Sequence, residues 1–186
     1  NNDMKIGILG VGHIGKTLAL TLPDSGHKVE VANSRGPETI EQAALVTGAE
    51  PVTAEQAVKG KDVIILSIPF NRIPEIKPLL AEVPEDVTII DTSNYYPSRD
   101  NNIPAIDEGQ VESLWVSEQL GRPIAKAWNA IGYISFEESG KPAGSSDRIA
   151  IPIAADRDQD RKITMQLVDE TGFDAFDAGS LADSWR

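Results

Sequence analysis

Lys5-Ile6-Gly7-Ile8-Leu9-Gly10-Val11-Gly12-His13-Ile14-Gly15 decides how the rest of the chain is read. The apolar run from Met4 to Leu9 predicts a short strand buried on both faces, and Gly10, Gly12 and Gly15 follow at GxGxxG spacing. Directly behind them Ile14, Leu18 and Leu22 recur every four residues, the stripe of an amphipathic helix. In a chain with 15 glycines the bare spacing is weak. Its position between a strand and a helix gives it meaning. Each glycine then has a steric task in a dinucleotide site: Gly10 makes the turn, Gly12 admits a pyrophosphate close to the backbone, and Gly15 lets the helix pack on the strand. Val11, His13 and Ile14 complete the turn, at the positive end of the helix dipole where phosphates bind.

With 186 residues the chain can bury one good core, and a single domain over 1–186 is expected. The absence of cysteine excludes disulfides, thiolate metal sites and cysteine nucleophiles. The two histidines, His13 and His27, show no zinc-site spacing, so no metal is expected. A formal net charge of −12 argues against nucleic acid and anionic membranes as partners. No apolar run reaches transmembrane length and no signal peptide precedes Met4, so a cytoplasmic location is expected. Asn1 to Asp3 read as an added remnant before a natural start at Met4.

The alternation of elements predicts an α/β, Rossmann doubly wound fold: a mostly parallel sheet of about seven to eight strands with helices on both faces. His27–Ala32 reads as the second strand, and Gly36-Pro37 opens a helix running to Gly48. A short strand near Pro51–Thr53 and a helix over Ala54–Lys59 precede a fourth strand, Asp62–Ile68. A helix over Ile73–Leu80, strand five over Val87–Asp91 and a helix over Val111–Leu120 come next. Strands at Pro123–Asn129, Ile149–Ala154 and Phe173–Asp177, with a helix over Arg157–Thr171, complete the chain.

The end of the second strand selects the dinucleotide. An acidic residue there would take the ribose hydroxyls of NAD; Asn33-Ser34-Arg35 offers a guanidinium and a hydroxyl instead. A charge-assisted hydrogen bond contributes about 1.5–3 kcal/mol, so Arg35 alone could supply roughly tenfold to hundredfold preference for NADP. Glu30, the nearest acid, is expected mid-strand and badly placed for a ribose.

Val31–Glu38 (VANSRGPE), Ser67–Phe70 (SIPF), Asp91–Pro97 (DTSNYYP), Lys126–Asn129 (KAWN) and Ala178–Arg186 (AGSLADSWR) together resemble the NADPH:deazaflavin-coenzyme oxidoreductase family, also labelled NADP oxidoreductase, coenzyme F-420-dependent. The reductase domain of mammalian endosomal metalloreductases is a cousin. The resemblance covers nearly the whole chain and implies NADP binding with hydride transfer to a flavin-like ring: coenzyme F-420, FMN or FAD. Two departures accompany it. A basic residue that helps hold the 2′-phosphate in such enzymes is replaced by Thr39, and the closing segment beyond Ser-Trp-Arg is expected to be absent, since the sequence stops at Arg186.

The carboxyl ends of strands one, four, five and six are expected to converge on one crevice. That gathers Gly10 to Gly15, Asn33 to Arg35, Ile68, Pro69, Phe70, Asn94 and Asn129-Ala130 as cofactor-binding candidates. Phe70 either lines the nicotinamide or packs in the core; Asn129 either bonds the carboxamide or closes a strand. Asn129 and Tyr95 are the candidates nearest the chemistry, Trp128 is expected in the core, and Lys126 is expected to cap a strand in solvent. Neither histidine suits proton donation, since both are expected in the adenine half of the site. Too few residues follow Asp177 for the helical substrate domain of hydroxyacid and imine reductases. A ring-to-ring hydride transfer asks least of the protein.

Three readings follow: hydride transfer to a deazaflavin or flavin; reduction of a small carbonyl or ferric chelate using Tyr95, Tyr96 or Lys126; or NADPH sensing without turnover. A homodimer contact is expected at the apolar end Leu181–Trp185.

Overall fold

The computed structural model describes residues 3–93, 103–107, 110–128, 140–142 and 148–184. Eight strands form one sheet in the order β3-β2-β1-β4-β5-β6-β7-β8. They are β1 (Lys5–Leu9), β2 (Lys28–Ala32), β3 (Glu50–Pro51), β4 (Val63–Leu66), β5 (Thr88–Asp91), β6 (Ala125–Lys126), β7 (Ala150–Ala155) and β8 (Asp174–Asp177). All neighbours pair in parallel except β6 and β7, which are antiparallel. Among the described residues the helices are α1 (His13–Thr21), α2 (Ala54–Ala57), α3 (Pro104–Asp107), α4 (Glu112–Leu120) and α5 (Asp158–Glu170).

The central strands read as unbroken apolar runs because both faces of the sheet are covered. Their alternate residues feed two cores. Ile6, Ile8, Val63, Ile65 and Ile90 pack on one face with Leu18 and Leu22 from the α1 side and Leu167 and Val168 of α5. Leu9, Ile64, Leu66 and Ile89 pack on the other with Trp115, Val116 and Leu120 of α4 and with Phe70 and Ile73. Trp128 and Leu181 are both fully buried. The first is the core residue that its sequence suggests. The second corrects the expectation of an exposed apolar end, and Trp185 lies outside the described residues.

Two expected helices are absent for local reasons. Between β2 and β3 the chain makes two short 3-10 turns, Pro37–Thr39 and Gln42–Ala44, with Ile40 extended after the first. Thr39 Oγ1 reaches Asn33 Oδ1 (2.9 Å) and the Gly36 carbonyl (2.7 Å), and such side-chain bonds compete with a helix. Between β4 and β5 the chain follows 3-10 turns at Phe70–Ile76 and Pro78–Leu80. Pro74 and Pro78 each remove the donor that an α-helix needs there.

His27 is likewise displaced from its expected place. Its Nδ1 accepts from Met4 N (2.9 Å), and its Nε2 lies 2.6 Å from Glu170 Oε1. It therefore ties the starting edge of the sheet to the last turn of α5, away from the strand ends where a ligand binds. Asp160 of α5, fully buried, is met by Thr88 Oγ1 (2.7 Å) and by Arg157 Nε (2.7 Å), fixing α5 to β5.

Gly7 sets how closely α2 approaches β1. A Cβ there would lie 1.8 Å from the Ala57 carbonyl oxygen, so strand and helix would have to separate. Gly7→Ala is expected to lower unfolding free energy by at least about 2 kcal/mol, measured by urea denaturation.

Candidate functional site

The strand order reverses between β1 and β4, and a crevice opens at their carboxyl ends, where doubly wound sheets bind ligands. Its floor is the glycine turn. Gly10 adopts φ 102° and donates to the Ala32 carbonyl (2.7 Å). A Cβ on Gly10 would fall 2.1 Å from the Ser67 carbonyl oxygen, and one on Gly15 would fall 2.5 Å from that of Gly10. Ser67 locks the turn from below: its N–H donates to the Leu9 carbonyl (2.7 Å), and its Oγ accepts from Gly15 N (3.0 Å). Gly10 and Gly15 are therefore demanded by the protein's own packing.

Gly12 is different. It precedes α1 with φ −63° and ψ 179°, a conformation open to any residue, and a Cβ there would meet nothing nearer than Ser67 Oγ at 3.6 Å. Nothing within the described fold requires glycine at this position. The requirement fits a group that approaches the backbone from the crevice, as a pyrophosphate does. No side chain caps the α1 N-terminus and no acid lies in its first turn, so its positive end faces the crevice uncompensated by carboxylate.

The cavity measures about 620 Å³. Gly10 to Ile14 form its floor, Ala32 to Arg35 one wall, and Ser67 to Pro69 with Arg72, Glu75, Ile76 and Leu79 the other; Thr92 and Ser93 close one end. On the first wall Asn33 Oδ1 accepts from Arg35 N (3.1 Å), an Asx turn that leaves Ser34 and Arg35 exposed. Asn33 Nδ2 is buried with no hydrogen-bond partner among the described residues. That cost is understood if a ligand oxygen is its acceptor. No carboxylate ends β2: Glu30 faces Lys61 Nζ at 2.7 Å instead.

Most sequence-nominated residues meet here: Gly10, Val11, Gly12, His13, Ile14, Asn33, Ser34, Arg35, Ile68 and Pro69 all line the cavity. Gly15 lies beneath the turn and supports it. The Phe70 ring is fully buried and stacks on Trp115 with centroids 4.8 Å apart, so the core has claimed it and it lines no part of the cavity. Asn94, Tyr95, Tyr96, Asn129 and Ala130 lie outside the described residues.

Lys126 is corrected from a solvent cap to a core residue, 1% exposed. It stands opposite Asp91 across the β5–β6 pair. Burial lowers its pKa, against the raising influence of Glu112 and Asp91. Asp91, also buried, accepts from Ser93 Oγ (2.6 Å) and Ser93 N (3.1 Å). Its carboxyl is pushed up to about 6 by burial, despite the opposing bonds from Ser93 and the charge of Lys126. A titratable acid thus stands one hydrogen bond behind Ser93 and the cavity wall. The aspartate ending an apolar strand was visible in the sequence; its depth was not.

Just after β6, Trp128 adopts φ 63°, a left-handed conformation that costs a bulky residue on the order of 1–3 kcal/mol. Its Nε1 donates to Thr171 Oγ1 (3.4 Å), which anchors the ring. Among the described residues no group of three His, Asp or Glu could hold a metal ion, and no helix is long and apolar enough to cross a membrane.

Residues 5–95 match the family model described as NADP oxidoreductase coenzyme F420-dependent. A crystal structure of a hypothetical protein, SMa0349, from Sinorhizobium meliloti superposes with TM-score 0.81 at 24% identity, over 98% of this chain and 88% of that one. A structure described as a "putative f420 dependent nadp-reductase" from Arthrobacter sp. FB24 gives TM-score 0.75 at 17% identity, over 96% and 86%. At these identities the two structures establish the Rossmann-type α/β fold. Protein YjhV of Escherichia coli (strain K12) is 47% identical over 45 residues, which are 24% of this chain and 33% of that protein.

The Asp91 carboxyl binds its proton more tightly in the folded chain than in the unfolded one, where its pKa is near 3.8. Its contribution to stability is fully present below about pH 3.8 and is lost as pH rises through about 6. Between about pH 4 and pH 7 the wild type should lose on the order of 2 kcal/mol relative to Asp91→Asn, read from urea midpoints of both proteins.

Proposed function

We propose that the protein, whose residues 5–95 match the NADP oxidoreductase coenzyme F420-dependent family, is an NADP(H)-dependent oxidoreductase passing hydride between NADPH and a deazaflavin or flavin-type acceptor. The observation that carries this reading is the pairing of a glycine at position 12, which the protein's own packing does not require, with an exposed arginine at an acid-free strand end. The reading fits each wall of the cavity. The turn at Gly10 to Ile14 receives the pyrophosphate, with the positive end of α1 behind it. Ser34 and Arg35 take the 2′-phosphate, in a protein whose net charge of −12 would otherwise repel it. Bound NADPH supplies the hydride. The chain's part is to hold the two rings face to face and to keep water out of the space between them. FMN, FAD and coenzyme F-420 are the acceptors to try; cytoplasmic location and a homodimer belong to the same reading.

One observation favours a second reading, reduction of a small carbonyl. The product oxygen of such a step needs a proton, and Ser93 Oγ on the cavity wall is hydrogen-bonded to an acid whose carboxyl titrates at about 6. Anaerobic NADPH oxidation, followed with coenzyme F-420, FMN, FAD and a panel of small ketones, separates the two. Turnover with a flavin-type ring that survives Asp91→Asn supports the first reading; turnover confined to ketones and lost in that variant supports the second. Binding without turnover on any acceptor would leave an NADPH sensor.

Arg35→Ala is expected to weaken NADPH binding at least about tenfold and leave NADH nearly unchanged, measured by calorimetry. Gly12→Ala is expected to abolish measurable binding of both dinucleotides while changing the unfolding free energy from urea denaturation by less than about 1 kcal/mol, since its Cβ has room within the protein.

A further inference from the structure

The crevice carries a second guanidinium to which the proposed function gives no task. Arg72 lines the wall that follows β4, and Arg35 lines the wall that follows β2; the two strands flank β1 on either side. Arg72 Nε is 3.0 Å from Glu75 Oε2, and the two side chains are 49% and 61% exposed. An ion pair that exposed is weak, so its partners exchange readily. Glu75 lines the same wall, as do Ile76 and Leu79, both only partly buried. The spacing of 72, 75–76 and 79 along successive 3-10 turns keeps these side chains on one face.

That face is an apolar ledge with a guanidinium at its rim. Ile76 and Leu79 offer nothing to a phosphate and suit a flat uncharged ring. Across from them, Ser34 and Arg35 mark the adenosine end of the dinucleotide under the proposed function. A guanidinium is planar, weakly hydrated, and stacks on aromatic faces.

We infer that Arg72 covers the adenine ring of the bound dinucleotide, leaving Glu75 to do so, while Ile76 and Leu79 support the ring's edge and underside. The inference rests on the dinucleotide reading and adds to it a residue that binds the base. Arg35 then discriminates between the cofactors, because only one carries the 2′-phosphate. Arg72 does not, because both carry adenine. Glu75 is the placeholder: in the free protein its carboxylate holds the guanidinium against the wall, and it competes with the base.

The test is titration calorimetry with NADPH, NADH and reduced nicotinamide mononucleotide, which lacks adenine. Arg72→Ala should weaken NADPH and NADH by the same factor, roughly three- to tenfold, and leave the mononucleotide unchanged. Glu75→Gln should tighten both dinucleotides about twofold or more, by freeing the guanidinium. If Arg72 served only to neutralise Glu75, Arg72→Ala would cost nothing in the Glu75→Gln background; the expected result there is still about threefold or more. A loss confined to NADPH would overturn the inference in favour of a phosphate contact, and unchanged affinity for both dinucleotides would overturn it outright. Both residues are exposed, so melting curves matching the wild type are expected for each variant. A wild type that binds no dinucleotide takes down the cofactor reading itself. Selective loss of NADPH in Arg35→Ala alongside an inert Arg72→Ala would sink this inference alone.

Discussion

The closeness of the first glycine turn to the end of β4 governs everything at the crevice. Ser67 stands at that junction, touching the turn with a backbone carbonyl, a backbone N–H and a hydroxyl at once. A side chain on Gly10 or Gly15 would push the two strand ends apart and lift α1 from the sheet. Because the contact is backbone against backbone, it has little room to adjust. The floor of the cavity is thus rigid, which suits a surface meant to present N–H groups at a fixed spacing.

The charges around that floor are arranged against the character of the whole molecule. The chain is strongly acidic, yet three carboxylates around the crevice have partners. Glu30 is taken by Lys61, Glu75 by Arg72, and Asp91 by Ser93 together with the nearby Lys126. The positive end of α1 and the Arg35 side chain also face the ligand space, with no carboxylate paired with either among the described residues. An anion entering there meets favourable local charge inside an unfavourable global field. Such a field keeps nonspecific polyanions away while the cleft accepts one of the right shape.

The fold was legible because its signals are local and repeated. Unbroken apolar runs at Lys5–Leu9, followed at once by Gly10, and at Val63–Leu66, with Pro69 shortly after, could hardly form anything but buried parallel strands. The meeting of Gly10 to Ile14 with Asn33 to Arg35 around one cavity was legible for the same reason: they are contiguous motifs that the fold needs only to bring together. The errors have a common source. Lys126 and Leu181 were misjudged, and Phe70 was left between cavity and core, because burial is decided by distant partners: Asp91 and Glu112 lie by the first, Asp156 accepts from Leu181 N at 3.0 Å, and Trp115 stacks on Phe70. The expected helices at 36–48 and 73–80 yielded to side-chain bonds and proline, local effects that apolar periodicity does not register. Arg72 and Glu75 carried no motif at all; only the path of the 3-10 turns aims them at the cavity.

The three glycines of the turn answer to different masters. Two are fixed by the protein's own architecture; under the proposed function the middle one is fixed by the ligand alone. A descendant of this chain that gave up nucleotides would keep the outer pair and drift freely at the middle position, with no penalty in folding. Residue 12 is therefore a marker that separates working copies from retired ones by a single letter.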